Sequence, residues 1–224
     1  MITIDRTTTY TYPHKGYVFT FIHSFNEYIQ ETYPYFIPIP HLSLFSIRLI
    51  YYNDKVDTVE IPSIVKIENK NFVVDNIYRF VFGDLYPYQK INIKKIKIPY
   101  SIKNIHSESI DGLSELEEVE FYGNKHMEEI DPYYIHNKTY RIYSYAFSNC
   151  RSLKKIIIPE TFNIIEPESF YNCKNLETLL ILNPDVNSEK RPYNRDIIKY
   201  CDNIKYVAIG NNIIYKKNGS FKIL

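Results

Sequence analysis

The chain has 224 residues, 45% of them apolar, with 27 Lys and Arg against 26 Asp and Glu, enough for one large domain or two small ones with a sizeable core. The balanced charge argues against a dedicated binder of nucleic acid or of an anionic membrane, since both rest on a basic excess. No apolar run reaches the ~18 residues of a transmembrane helix, the N-terminus lacks the basic start and continuous apolar core of a secretory signal, and three Cys in a chain this long make no disulfide framework.

Residues 1–55 read as an N-terminal cap built from a helix and a hairpin strand. In "FIHSFNEYI", Phe21, Ile22, Phe25, Tyr28 and Ile29 share one helical face. The Pro residues of "TYPYFIPIPH" force an extended path. "SIRLIYYNDKVDTVEIP" reads as two strands joined by a turn at Asn53-Asp54.

From residue 56 to 210 the chain repeats itself. Ile142, Phe147, Cys150, Leu153, Ile156 and Ile158 define six slots, and Ile165, Phe170, Cys173, Leu176, Leu179 and Ile181 refill them 23 residues later. Ile105, Ile110, Leu113, Leu116, Val119 and Phe121 fill them earlier with the same spacing. Parts of further units lie at Ile77, Phe82, Leu85, Ile93, Ile96 and Ile98, at Val56, Val59 and Ile61, and at Cys201, Ile204, Val207 and Ile209. The last slot falls at 61, 98, 121, 158, 181 and 209, giving intervals of 37, 23, 37, 23 and 28 residues. Such a period indicates a leucine-rich solenoid. In I-x-I the two Ile share one face of a short strand, and stacked units join these strands into one parallel sheet over a continuous core. The return legs between strands are expected as short helical or irregular segments.

"IYSYAFSNCRSLKKIIIP" and "IIEPESFYNCKNLETLLI" resemble the BspA-like leucine-rich repeat. The likeness covers about residues 56–210 and departs at Ile110 and Leu113, which replace the usual Phe and Cys, and in the lengthened segments 62–76 and 122–141. The resemblance implies a curved solenoid that binds other proteins, often at cell surfaces, without enzymatic activity. The compartment is otherwise open, cytoplasmic by default.

Cys150, Cys173 and Cys201 occupy a slot that Leu113 fills elsewhere, so they read as buried core thiols rather than reactive ones. No Gly-rich phosphate loop and no G-x-S-x-G elbow occurs. The abundance of Tyr could suggest base stacking on RNA, but the neutral charge opposes it. "HMEEIDPYYIH", residues 126–136, is the one cluster that could carry a metal or an enzymatic role; a solvated loop is the better reading. No cofactor is expected. Residues 183–196 form a polar loop, Gly210-Asn211 a turn, and 211–224 a C-terminal cap strand.

The remaining strand positions face outward. The row Asp57, Lys94, Glu117, Lys154, Glu177, Lys205 alternates in sign at every step, which reads as neutralisation between neighbouring strands. Between the core residues run Glu60, Lys97, Glu120, Ile157, Leu180 and Ala208, beside Thr58, Lys95, Glu118, Lys155, Thr178 and Tyr206. The last three strands therefore offer an apolar patch. Lys155, Ile157, Thr178, Leu180, Tyr206 and Ala208 are the candidate partner-binding residues, unless the 183–196 loop or the C-terminal tail covers them. The expected function is a non-enzymatic protein-interaction solenoid. A structural or adhesive surface array is the alternative.

Overall fold

A computed structural model describes residues 9–14, 17–24, 41–49, 57–82, 92–124, 139–186, 195–217 and 220–223, with side-chain surroundings for 57–82, 92–124, 139–186 and 196–211. The chain begins with β1 (Thr9–His14), β2 (Tyr17–Ser24) and β3 (His41–Leu49), paired antiparallel in that order. This corrects the helix expected over 21–29: Phe21 and Ile22 lie in β2, while Phe25, Tyr28 and Ile29 lie outside the described residues. The run "YVFTFIHS" is aromatic and β-branched with Phe at alternate positions, and those side chains suit a pleated strand better than a helical face.

The turn expected at Asn53-Asp54 lies outside the described residues, and among the described residues the strands on either side of it pair elsewhere. β3 pairs with β2 and, in parallel, with β6 (Lys70–Ile77), whereas β4 (Thr58–Glu60) pairs with β7 (Lys95–Pro99). β4 carries the first repeat's core residue Val59, fully buried, and its partner is the same slot of the next repeat. The hairpin that does form joins β5 (Ile64–Ile67) to β6. Its corner residues Glu68 and Asn69 are both left-handed, with φ of 48° and 65°, as a two-residue turn between twisted strands requires.

The solenoid has a front and a back. Front strands are β4, β7, β9 (Glu118–Tyr122), β11 (Lys155–Ile158), β13 (Thr178–Ile181) and β14 (Tyr206–Ile209). They follow the expected order, with Ile156 opposite Leu179 and Leu179 opposite Val207. Back strands are the end of β6, then β8 (Asn104–Ile105), β10 (Arg141–Ile142) and β12 (Ile164–Ile165), all parallel. The return legs thus carry two-residue strands and turns, with a 3-10 turn at Arg195–Ile198 in the last. β14 turns at Gly210-Asn211 into β15 (Asn212–Lys217), which pairs with β16 (Ser220–Ile223). Gly210 has φ +53° and sits where a Cβ would lie 2.6 Å from the Pro184 Cβ, so only glycine fits.

Between front and back lies one continuous core. Every described slot residue is buried except Phe121, which is half-buried at its edge. Each fully buried Ile, Leu or Phe contributes roughly 1.5–3 kcal/mol. The return leg turns through two left-handed corners per repeat. The first corner holds Phe80, Glu108, Tyr145 and Glu168 at φ 57–62°. The second holds Gly112, Asn149, Asn172 and Tyr200 at φ 58–74°. Asn and Gly tolerate this conformation best, which explains the Asn before Cys in "SNC" and "YNC". The corner side chains also stack: Asn172 donates to Asn149 at 2.6 Å and Asn149 to Asp111 at 2.8 Å.

The front ladder differs from the expected single sheet at one place. β4-β7-β9 form one sheet and β11-β13-β14-β15-β16 another, with no strand pairing between β9 and β11.

Candidate functional site

The break between β9 and β11 coincides with a long connection after β9. Residues 100–103 connect β7 to β8, and 159–163 connect β11 to β12, but 123–140 separate β9 from β10. The two turns still stack along the return leg, through Ile110 N–H to the Ala146 carbonyl at 2.9 Å, Gly112 N–H to Ser148 at 2.9 Å and Ser152 N–H to Ser114 at 3.0 Å. They part at the next step. At the other four junctions between turns, one carbonyl accepts from two successive amides of the following turn. Lys94 and Lys95 donate to Asp57 at 2.7 and 2.9 Å, and Glu117 and Glu118 to Lys94 at 2.8 and 3.0 Å. Glu177 and Thr178 donate to Lys154 at 2.8 and 3.1 Å, and Lys205 and Tyr206 to Glu177 at 2.9 and 3.0 Å. Among the described residues no such bond joins Lys154 or Lys155 to the Glu117 carbonyl.

The result is a wedge-shaped cleft of about 620 Å³. Glu117, Glu118 and Glu120 line it from the β9 side and Lys154, Lys155 and Ile157 from the β11 side. Tyr100, Phe121, Pro159 and Leu182 close its far end. Phe121 meets the buried Phe162 edge-on, with ring centroids 5.6 Å apart and planes at 64°. The opposed charges are not equivalent. Lys95 engages Glu118 at 2.8 Å and Glu120 at 2.6 Å, and these bonds hold the Lys95 ammonium above its ordinary range. Lys154 and Lys155 are exposed and form no ion pair among the described residues.

The six residues singled out in the sequence lie together as two rows. Lys155, Thr178 and Tyr206 are in register across β11, β13 and β14, and so are Ile157, Leu180 and Ala208. Their exposure is graded. Ile157 is 39% exposed, Thr178, Leu180 and Tyr206 are half-buried, and Ala208 is 8% exposed where the sheet runs on into β15. Described loop residues 183–186 run along the strand ends: Asn183 bonds the Phe162 carbonyl at 3.1 Å, and Pro184 packs on Gly210. The patch therefore centres on Ile157 and continues into the wedge, a feature that only the broken ladder shows. Leu182, 43% exposed, was legible as the strand-end residue where three other turns carry Pro62, Pro99 and Pro159.

Some of the outward charges are paired. Lys97 meets Glu60 at 3.4 Å, and in the alternating row Lys205 meets Glu177 at 2.9 Å. Exposed pairs of this kind contribute about 0–1 kcal/mol each. Tyr122 beside them donates to the Ile61 carbonyl at 2.5 Å, and burial, followed by Glu60 and Glu120, pushes its phenol up to about 12. The three thiols are unoxidised and buried. Cys150, Cys173 and Cys201 donate to the Ile110, Phe147 and Phe170 carbonyls of the preceding turn at 3.2, 3.0 and 3.0 Å. The Cys150 thiol, assisted by burial, pushes Cys173 up, and Cys173 and burial push Cys201 up. All three thiols are buried core residues, and the raised Cys173 and Cys201 are poorly disposed to act as nucleophiles. Residues 126–136 lie outside the described residues, and among those described no group of three or more His, Cys, Asp or Glu could hold a metal ion. No described helix is long and apolar enough to cross a membrane.

The model of the BspA type leucine rich repeat region matches residues 48–134 and 121–223, in six copies. The chain belongs to this family. Its repeats are of the protein-interaction or surface kind and generally non-enzymatic. A comparison with curated proteins gives no match. Among solved structures the chain is similar to a leucine-rich repeat protein from Bacteroides capillosus, at 19% identity over 76% of this chain and 97% of that one, with a TM-score of 0.50. It is also similar to the pneumococcal vaccine antigen PcpA, at 15% identity over 77% of this chain and 38% of that one, with a TM-score of 0.52. At these identities the likeness concerns the fold alone.

Proposed function

We propose that this BspA-type repeat chain is a non-enzymatic protein-binding solenoid whose contact surface is the outward front face of β11, β13 and β14. The observation that carries this reading is the row of Ile157, Leu180 and Ala208 in register across three strands, with Ile157 exposed, where the same position of the earlier strands holds Glu60, Lys97 and Glu120. Apolar exposure at Ile157 and Leu182, on and beside this face, fits a partner surface. β1–β3, which extend the back sheet through β6, serve as the N-terminal cap, and β15–β16 as the C-terminal one. Both ends of a solenoid core need such cover.

The test is affinity capture with the wild-type chain, Ile157→Asp and Lys97→Ala side by side, read by quantitative mass spectrometry. A protein retained by wild type and Lys97→Ala but lost with Ile157→Asp is the expected result. Equal retention by all three variants overturns the assignment of this face.

A further inference from the structure

At four junctions a carbonyl of one turn accepts from two successive amides of the next, and at the β9/β11 junction the Lys154 and Lys155 amides have lost that acceptor. The same two residues bring two exposed ammonium groups with no ion pair among the described residues. Two amides and two cations at one strand edge form a receptor for an anion. Of the three acids opposite, Lys95 engages Glu118 and Glu120, and Glu117 faces the cleft with no ion pair among the described residues. Beyond the basic end the edge stays open. The Lys154 and Ile158 carbonyls accept from β13 and its continuation at Leu182. In a parallel ladder alternate residues bond to opposite sides, so the backbone groups of Lys155 and Ile157 point toward β9, where no strand pairs with them. Where β9 and β11 are closest, their Cα atoms lie within 8 Å and leave no room for a strand between them; an extended chain can take these bonds only where the two diverge. Its apolar side chain then meets Phe121, Ile157 and Leu182 at the far end, in a cleft of about 620 Å³, a size that holds a short peptide segment.

We infer that the wedge between β9 and β11 seats an extended, acidic peptide segment of a protein partner, its carboxylate on the Lys154 and Lys155 amides and ammonium groups and an apolar residue in the far end. This inference rests on the protein-binding reading and narrows its partner to chemistry of one charge sign.

The test uses fluorescent octapeptide pools of Val and Thr with Asp, Asn or Lys fixed near the middle, titrated into the whole chain and read by anisotropy. The Asp pool should bind, and the Asn and Lys pools should bind about tenfold more weakly or worse, the cost of losing a charge-assisted bond. Lys154→Glu with Lys155→Glu should abolish binding, with Lys155→Ala as the milder variant if the pair destabilises the fold. Lys174→Glu, at an exposed turn, should leave binding unchanged. Amide exchange gives a direct reading: the Lys154 and Lys155 amides should exchange fast in the free chain and slow with the Asp pool. Equal affinity for all three pools, no binding by any, or protection of those amides in the free chain to the level of Glu177 and Thr178 each overturns the proposal. A captured partner that is lost with Ile157→Asp but not displaced by the Asp pool overturns the wedge alone and leaves the front-face reading standing.

Discussion

The back of the solenoid crosses the long segment 123–140 without interruption, since Arg141 and Ile142 pair with Asn104 and Ile105 as Ile164 and Ile165 pair with them in turn. The front does not: no strand pairing joins β9 to β11. The difference lies in where the extra residues attach and what packs there. They leave from the end of a front strand and rejoin at a back strand, where the back register is intact, while the end of β9 keeps its pairing with β7 alone. Packing follows suit. At the back Phe147 and Phe170 stack face to face, 5.2 Å apart with planes at 12°, close to the spacing of successive turns. At the front Phe121 and Phe162 meet edge-on, an arrangement that needs more room. A repeat protein can thus hold its core in register on one side and open a cleft on the other.

The largest expected effect sets these two aromatic pairs against each other. Phe147 is fully buried, so Phe147→Ala should cost about 3–5 kcal/mol. Phe121 is half-buried at the wedge, and Phe121→Ala should cost about 1–2 kcal/mol because part of the void opens to water. Urea midpoints of the two variants measure this. Equal losses would show that the front is as tightly built as the back.

Next in size is the second back corner. Asn172 holds φ 58° and donates to Asn149. Asn172→Ala should cost about 1–3 kcal/mol, combining left-handed strain with a lost hydrogen bond. Asn172→Gly should recover the strain part only, so its midpoint should fall between the other two. If Gly and Ala behave alike, the corner conformation contributes nothing.

A smaller, pH-dependent effect belongs to the back alone. His106 stacks on Tyr143 at 4.8 Å and meets Tyr78 at 5.4 Å. Burial, assisted by Arg79 and opposed by Asp75 and Glu166, holds its imidazole below the ordinary 6.5. Between the lowered folded value and 6.5 the unfolded chain binds more protons, so stability should fall as pH drops through that window and level off below it. Unfolding of the wild type at pH 7.5 and 5, compared with His106→Gln, isolates this component from the other histidines. An unchanged pH difference in the variant would remove His106 from the account.

The repeat was legible because six apolar slots in fixed spacing have one physical solution, and burial of Ile142, Phe147 and Cys150 follows from it. The left-handed corners were hidden, since Phe80, Glu108 and Tyr145 give no sign of positive φ and only the Asn and Gly positions hint at it. The N-terminal strands were misread because Phe21, Ile22 and Phe25 satisfy a helical spacing while Phe19 and Phe21 satisfy a strand's, and pairing with β3 decided between them. The outward rows at Lys155 and Ile157 were legible from alternation. The wedge beside them was not, because slot residues continue through Leu116 and Leu153 as though the ladder were whole, and only the missing Glu117 contacts show the gap.

The smallest expected stability effect sharpens the comparison within the front. Ile157 stands 39% exposed at the edge of the wedge, and Leu180 beside it is half-buried between β11 and β14. Ile157→Asp removes little buried area and places its carboxylate near Lys155, so only strand propensity opposes it, at up to about 1 kcal/mol. Leu180→Asp sets a charge between two paired strands and should cost more, because part of its side chain is shielded from water. Lys97→Ala, which breaks one exposed pair with Glu60, should cost about 0–1 kcal/mol. Thermal unfolding orders the three. If Ile157→Asp destabilises the chain by as much as Leu180→Asp, Ile157 is covered by the chain itself. The outward face would then be core, and a partner site would have to be sought elsewhere.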